Sequence, residues 1–243
     1  MRLIIVRHAD PDYEHDSLTP TGWEEAKLVS ERISKLDVKD FYVSPLGRAQ
    51  DTASFTLKKT GRNATTLEWL REFSPKILRP DVTNQKSIAW DWLPADWTQD
   101  ENYFRRDLWY TTDIMREGKV KEEYEWVTKN FDALLATHGY VRNGDYYDVQ
   151  KANNDTLVFF CHFGLECVLL SHLMNVSPMI LWHHTAAAPT SVTTVYTEER
   201  RKGIASFRVA SFGDISHLYV ANREPSFSAR FCEMYDNKDE RHD

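Results

Sequence analysis

The sequence predicts an α/β domain built on parallel strands, and two apolar runs with one helical pattern carry that prediction. Residues 3–6 (LIIV) form a short aliphatic run rich in β-branched side chains, the kind buried on both faces of a parallel sheet. Late in the chain Thr156–Cys161 (TLVFFC) repeats the theme. Between them Trp23, Ala26, Val29, Ile33 and Leu36 recur at helical intervals, as a crossover helix requires. Each run stops abruptly, the first on Arg7 and His8, the second on His162. In open α/β sheets ligands bind outside the carboxyl ends of the strands, so a cation and two imidazoles delivered there point to an anion site with a nucleophile.

Length and composition bound the rest. A chain of 243 residues with 42% hydrophobic content can bury a large core, either as one generous domain or as a core with an inserted cap. The expectation is a single domain over residues 1–243 with an insertion at 74–118. A formal net charge of −7 and no long basic face argue against nucleic acid as a partner. Three cysteines without a CxxC pair suit a reducing compartment. The first apolar run is too short for a secretory h-region and Arg7 interrupts it, so the expected location is the cytoplasm, with no membrane segment.

In chain order, the first strand leads into a polar loop carrying Asp10, Asp12, Glu14 and Asp16. Thr21 and Glu24 have capping-box spacing at the start of the first helix. Residues 41–43 read as a strand, followed by Ser44 as N-cap and Pro45 as first residue of a helix ending near Gly61. That places Arg48 in a first turn, where a positive charge opposes the macrodipole and an anion is favoured, so Arg48 is a phosphate-type ligand rather than ordinary surface charge. After a short strand at 65–67, Glu68 and Glu72 flank Arg71 and are candidates for general acid chemistry, although each alone is more often a solvated surface group.

The stretch 74–118 loses strand character and gathers Trp90, Trp92, Trp97, Tyr103, Phe104, Trp109 and Tyr110 around Arg105 and Arg106. Large aromatics contribute mainly buried area, so a helical excursion packed on the core outweighs a substrate-selecting cap, though different residues can serve each role. A long helix follows, ending before Gly139, and residues 140–154 read as a loop. Beyond His162 and its helix, 180–188 reads as a loop holding Trp182, His183 and His184, and 191–197 with 204–210 as a hairpin joined by the charged EERRKG stretch. The tail from Arg223 is polar and expected to be ordered only in part.

Arg7, Arg48 and His162 around an oxyanion, with His8 facing the central atom, suit a phosphoryl group. Its charged oxygens accept several donors at once while a neutral imidazole attacks phosphorus in line. The leaving alkoxide needs a proton, which Glu72 or Glu68 can supply.

The RHAD of residues 7–10, LTPTG of 18–22, SPLGRAQDTA of 44–53, LRE of 70–72 and His162 in FFCHFG together resemble the histidine phosphatase superfamily, also called the phosphoglycerate mutase-like family. The matches fall in the family's order and span nearly the whole chain. The resemblance implies a three-layer α/β/α fold with a mainly parallel sheet. It implies His8 as the phosphorylated nucleophile, Arg7, Arg48 and His162 as the phosphate pocket, and Glu72 as proton donor, with neither metal nor cofactor. Ala9 replaces a common Gly, and Phe163 separates His162 from Gly164. Glu72 is followed by Phe73, Ser74 and Pro75 rather than the Arg-His-Tyr-Gly of true mutases, which favours a phosphatase of small phosphorylated metabolites over a cofactor-dependent phosphoglycerate mutase.

Two other classes make distinct predictions. A hydrolytic metal held by His8, Asp10, His162 and His184 would face repulsion from the arginines at the same edge and lacks HxH or HExxH spacing. A silent phospho-ligand binder would not need the complete His, Arg, Arg, His and Glu set. Specificity is expected from the loop after Asp10, the aromatic segment and the 183–189 loop, with Arg105, Arg106 or His184 touching the rest of the substrate. Oligomeric state is left open.

Overall fold

The computed structural model describes residues 1–82, 84–226, 228 and 231–240. Strand β1 (Arg2–Arg7) is followed by a small hairpin, β2 (Pro11–Asp12) and β3 (Ser17–Leu18), then α1 (Pro20–Ile33), β4 (Asp40–Val43), α2 (Gly47–Thr60) and β5 (Thr65–Thr66). A 3-10 turn at Glu68–Leu70 leads into β6 (Lys76–Ile77), β7 (Ser87–Ile88), α3 (Pro94–Trp97), 3-10 turns at Glu101–Phe104 and Trp109–Thr111, and α4 (Asp113–Glu117). The remainder runs α5 (Val120–Thr137), β8 (Tyr140–Asn143), β9 (Tyr146–Val149), β10 (Thr156–Cys161), α6 (Phe163–Met174), α7 (Pro178–His184), β11 (Val192–Arg201), β12 (Ile204–Asp214) and α8 (Ser216–Val220).

Eight strands form one sheet in the order β5-β4-β10-β1-β11-β12-β9-β8. The half containing β5, β4, β10 and β1 is parallel, and from β1 onward every pairing is antiparallel. The sheet is therefore mixed, with its parallel character confined to the half that carries the first and last apolar runs. Side-chain alternation explains why those runs are continuous. Leu3, Ile5, Leu157 and Phe159 face a core shared with α5, α6 and α7, while Ile4, Val6, Val158 and Phe160 face one shared with α1 and α2. Helices thus cover both faces. No helix among the described residues is long and apolar enough to cross a membrane.

Several boundaries differ from the sequence reading for identifiable reasons. Helix α1 starts at Pro20, not after Thr21, because Thr19 is the cap that accepts the Gly22 N–H at 3.0 Å and proline suits N1. Ser44 does not cap α2; its hydroxyl accepts the Leu46 N–H at 3.2 Å and pairs with His162, so the helix begins at Gly47 with Arg48 still in its first turn. Residues 140–154 are not simply a loop. Asn143 and Gly144 mark the turn of the β8–β9 hairpin, with Gly144 at φ 56°. Residues 180–184 belong to α7, whose start was signalled by Ser177 as N-cap and Pro178 at N1. In the β11–β12 hairpin most of the charged EERRKG stretch is strand, solvated and cross-paired, as in Arg208 with Glu198 at 2.8 Å.

The aromatic segment 74–118 buries Ile77, Trp92, Trp97, Tyr103, Trp109 and Met115 in the same cluster as Phe73, Phe131 and Trp182. In the tail, Ser226 N–H donates to Glu25 Oε1 at 3.1 Å and the Ser228 hydroxyl to Asp10 Oδ1 at 2.5 Å. Residues 227, 229, 230 and 241–243 of that tail lie outside the described residues.

Candidate active site

Register alone brings the two histidines together. Parallel pairing aligns Arg7 with Cys161, and the His8 N–H donates to the Cys161 carbonyl at 2.9 Å, so the residues that follow the two strands emerge side by side. Their rings lie 5.1 Å apart, centroid to centroid, and both are buried. Next along the sheet, the Ser44 N–H bonds to the Phe160 carbonyl at 2.9 Å, which sets its hydroxyl 2.7 Å from His162 Nε2.

His8 is held as a neutral imidazole. Its Nδ1 lies 2.7 Å from the Ala9 carbonyl, and since a carbonyl only accepts, Nδ1 carries the proton and the lone pair sits on Nε2. Burial first, then the positive charges of Arg7 and Arg48, push its pKa well below the usual 6.5. The backbone is braced as well. The His8 carbonyl accepts the Thr190 N–H at 3.2 Å, and Thr190 adopts φ 60°, an unfavourable left-handed conformation for a β-branched residue. The Thr190 hydroxyl is tied to the Pro189 carbonyl at 2.6 Å and to His217 Nε2 at 3.1 Å. No motif in the sequence singled Thr190 out beyond its place in PTSVT.

His162 is likewise kept neutral by burial and by His8, Arg48 and Arg7. With the Ser44 hydroxyl on Nε2, Nδ1 is the ring nitrogen without a protein partner among the described residues. It is the atom left to meet a substrate oxygen. Arg7 donates to the Ala187 carbonyl, which anchors its guanidinium against the loop before β11. Arg48 donates from Nη1 to Asp16 Oδ1 at 2.6 Å, while Asp16 Oδ2 accepts the Gly47 N–H at 2.7 Å. This carboxylate therefore occupies the α2 N-terminus and the arginine together, an anion on an anion site. Residue 47 must be glycine for it, since a Cβ there would stand 2.0 Å from the Asp16 carbonyl oxygen.

Glu72 is partly exposed, and α6 meets it end-on. Its Oε1 accepts the Phe73 N–H at 2.8 Å and the Leu165 N–H at 2.9 Å, with the Gly164 N–H 3.4 Å from Oε2. Those amides and the charges of Arg48 and Arg7 favour the carboxylate, yet desolvation prevails and its pKa is raised. A carboxyl that holds its proton above the ordinary range, beside two arginines and two neutral histidines, completes a set able to bind a phosphoryl group, attack it and protonate a leaving oxygen.

A sequence model of the histidine phosphatase superfamily (branch 1) matches residues 3–209. The chain belongs to that superfamily. Among solved structures it is similar to a phosphoserine phosphatase from Entamoeba histolytica in complex with phosphoserine, at 18% identity and TM-score 0.57, covering 89% of this chain and 98% of that one. A mycobacterial glucosyl-3-phosphoglycerate phosphatase complexed with VO3 matches at 18% identity and TM-score 0.54, over 87% and 98% of the two chains. YhfR of Bacillus stearothermophilus matches at 19% identity and TM-score 0.56, over 89% and 98%. None of the curated protein sequences matches. These structures share the superfamily's α/β fold with this chain.

Within the histidine phosphatase frame, the structure does not bring every candidate to the pocket. Arg106 is exposed and paired with Asp145 at 2.6 Å, in the turn of the β8–β9 hairpin at the far edge of the sheet. Arg105 is exposed beside it. His184 is exposed at the end of α7, its ring edge-on to Trp97 at 5.7 Å. His183 is structural: Nδ1 donates to the Met179 carbonyl at 2.7 Å and Nε2 accepts the Trp92 N–H at 3.0 Å, with burial lowering its pKa to about 4. Glu68 is exposed in its 3-10 turn, whereas Glu72 is the carboxyl that accepts from the first turn of α6, which follows His162. The described residues contain no group of three or more His, Cys, Asp or Glu side chains converging as metal ligands, and Asp10 is occupied by the Thr19 and Ser228 hydroxyls.

One charged residue behind the pocket was not anticipated. Glu166 lies one turn into α6, 1% exposed, with burial raising its pKa to about 7, a rise that the Thr193 hydroxyl and Arg7 oppose and Glu72 reinforces. Its one signal was the surrounding run FGLECVLLSHL, apolar on all sides and hence buried throughout. A carboxyl whose folded pKa exceeds the ordinary 4.5 contributes stability that is complete below the unfolded value and lost as pH rises through the folded one. At 1.36 kcal/mol per pH unit the loss reaches up to about 3 kcal/mol. Glu166→Gln should therefore flatten the fall in unfolding midpoint between about pH 5 and pH 8; a slope equal to that of the wild type would contradict this.

Proposed function

We propose that the protein hydrolyses phosphomonoesters of small metabolites through a phosphohistidine at His8. The observation that carries this reading is the pair of neutral, buried imidazoles aligned by the β1–β10 register, one with its Nε2 lone pair unspent, between Arg7 and Arg48.

In the first step His8 Nε2 attacks phosphorus as the ester P–O bond breaks, and Glu72 gives its proton to the departing oxygen, releasing the alcohol. Arg7, Arg48 and His162 Nδ1 take the charge on the equatorial oxygens. In the second step Glu72, now a carboxylate, accepts a proton from the attacking water. The P–N bond breaks, and phosphate leaves with His8 neutral again. Protein groups alone suffice for this sequence, so no cofactor is invoked. A cytoplasmic location accords with Cys161 and Cys167 being buried thiols outside any disulfide, and a net charge of −7 makes nucleic acid an unsuitable partner.

The test is phosphate release from sugar phosphates, phosphoamino acids, phosphoglycerates and nucleotides across pH 4 to 9, with and without bisphosphoglycerate. The nucleophile must be neutral and its pKa is depressed, so activity falls on the acid side only well below pH 6.5. The acid must be protonated and its pKa is raised, so activity falls as pH increases above the ordinary carboxylate value of 4.5. Hydrolysis that falls off on both of these limbs, independent of bisphosphoglycerate, is the expected result. Interconversion of phosphoglycerates without net phosphate release would replace it with a mutase.

A further inference from the structure

The segment 74–118 sends one side chain to the catalytic acid. A Cβ on Gly164 would lie 2.7 Å from Glu72 Oε1 and 2.7 Å from both Nε1 and Cε2 of Trp90, so the carboxyl and the indole converge on the same stretch of α6 backbone. Glycine at 164 is what permits that approach. The indole N–H is not spent on the carboxylate, because it donates to the Phe73 carbonyl at 2.7 Å, one residue along from Glu72. Phe163 stands edge-on to the indole at 5.9 Å, closing its other side. The Trp90 carbonyl is fixed from elsewhere: Arg79 donates to it at 2.9 Å, and the almost fully buried Arg79 is itself paired with Asp81 at 2.5 Å.

We infer that Trp90 is a positioning residue for Glu72, its indole clamped on the Phe73 carbonyl and presenting an apolar wall that keeps water from one side of the carboxyl. This rests on the reading of Glu72 as proton donor. Every hydrogen bond that Glu72 makes among the described residues comes from a backbone N–H and favours its charged form. The group that opposes them has to do so by excluding water, and an indole whose only donor is engaged elsewhere does that without adding a hydrogen bond. The segment's aromatic content thus has a positioning member among its core-filling majority. The Phe163 insertion, which departs from the family pattern, supports that member.

Leaving-group dependence separates this role from a structural one. An aryl phosphate departs without help while an alkyl phosphate needs the proton, so loss of a protonated acid slows the alkyl ester selectively. Phosphate release from p-nitrophenyl phosphate and from glycerol 3-phosphate is measured against pH for the wild type and for Trp90→Gln, Trp90→Phe and Glu72→Gln. In Trp90→Gln the alkaline limb for the alkyl ester should move to lower pH by about one unit, and at neutral pH the alkyl rate should drop about tenfold relative to the aryl rate. Trp90→Phe, with a smaller apolar cover, should shift the same limb in the same direction by less, and it decides the matter where the Gln variant does not fold. If both variants slow the two esters alike and leave the limb in place while Glu72→Gln still singles out the alkyl ester, the Trp90 assignment is overturned and the proton-donor reading stands. If Glu72→Gln slows both esters equally, the proton-donor reading falls and takes this inference with it.

Discussion

Replacing His8 by Ala should eliminate turnover, a loss of at least about 10⁴-fold in kcat, while leaving the fold and vanadate binding in place. Among the described residues the imidazole makes one hydrogen bond, to the carbonyl of the adjacent Ala9, whereas the His8 N–H and carbonyl that tie β1 to Cys161 and Thr190 are backbone groups and survive the substitution. The ring packs beside His162 and belongs to neither hydrophobic cluster, so its removal opens no hole in either of them. On the proposed reading the anion is held by Arg7, Arg48 and His162, all still present. A variant that binds vanadate and does not turn over is the signature of a lost nucleophile; one that keeps more than about a hundredth of the wild-type rate would move the nucleophile elsewhere.

Replacing Arg48 by Ala should cost about 10² to 10³ in kcat/KM, or roughly 3 to 4 kcal/mol, with Arg48→Lys recovering only part of it. Two effects add. The guanidinium that would take charge on the phosphoryl oxygens is gone, and its present partner Asp16, 2.6 Å away, is left as an uncompensated carboxylate at the same mouth. Asp16 keeps the Gly47 N–H and so stays in place to repel the incoming anion. Arg48→Ala with Asp16→Asn should therefore recover more affinity for phosphate than Asp16→Asn gains in the wild-type background. Inhibition by inorganic phosphate reads this out, and strictly additive effects would show that the two residues do not act on the same anion.

What the sequence disclosed of this site follows from what kind of structure each residue belongs to. His8 and His162 end apolar runs that pair in parallel register, and such runs are visible because both their faces are buried. Arg48 was legible through helix-start punctuation, even though the cap residue was misplaced by Ser44 serving His162 instead. Glu72 was recognisable by motif alone, for nothing in LRE says that the start of α6, far along the chain, supplies it with two amide donors. Asp16, Trp90 and Thr190 reach the site through loops, whose paths depend on tertiary contacts and leave no periodic trace. In the antiparallel half of the sheet the β11–β12 hairpin was legible and the outer edge was not. Its β8–β9 hairpin is short and polar, so its strands read as loop, and Arg106 accordingly proved to be tied to the hairpin turn rather than to the phosphate pocket. Arg105 and Arg106 illustrate the general hazard that a cation among aromatics looks functional in a list of residues and is a solvated surface group in space.

A reaction that passes through a covalent bond between phosphorus and His8 Nε2 leaves a phosphoenzyme that can be trapped. Incubation with a ³²P-labelled substrate followed by quenching in alkali should trap about one label per chain, stable to base and released by acid. The label should map to the peptide containing His8 and be absent from His8→Ala. An active enzyme that yields no trapped label, or one whose label persists in acid and in the His8→Ala variant, would contradict the account.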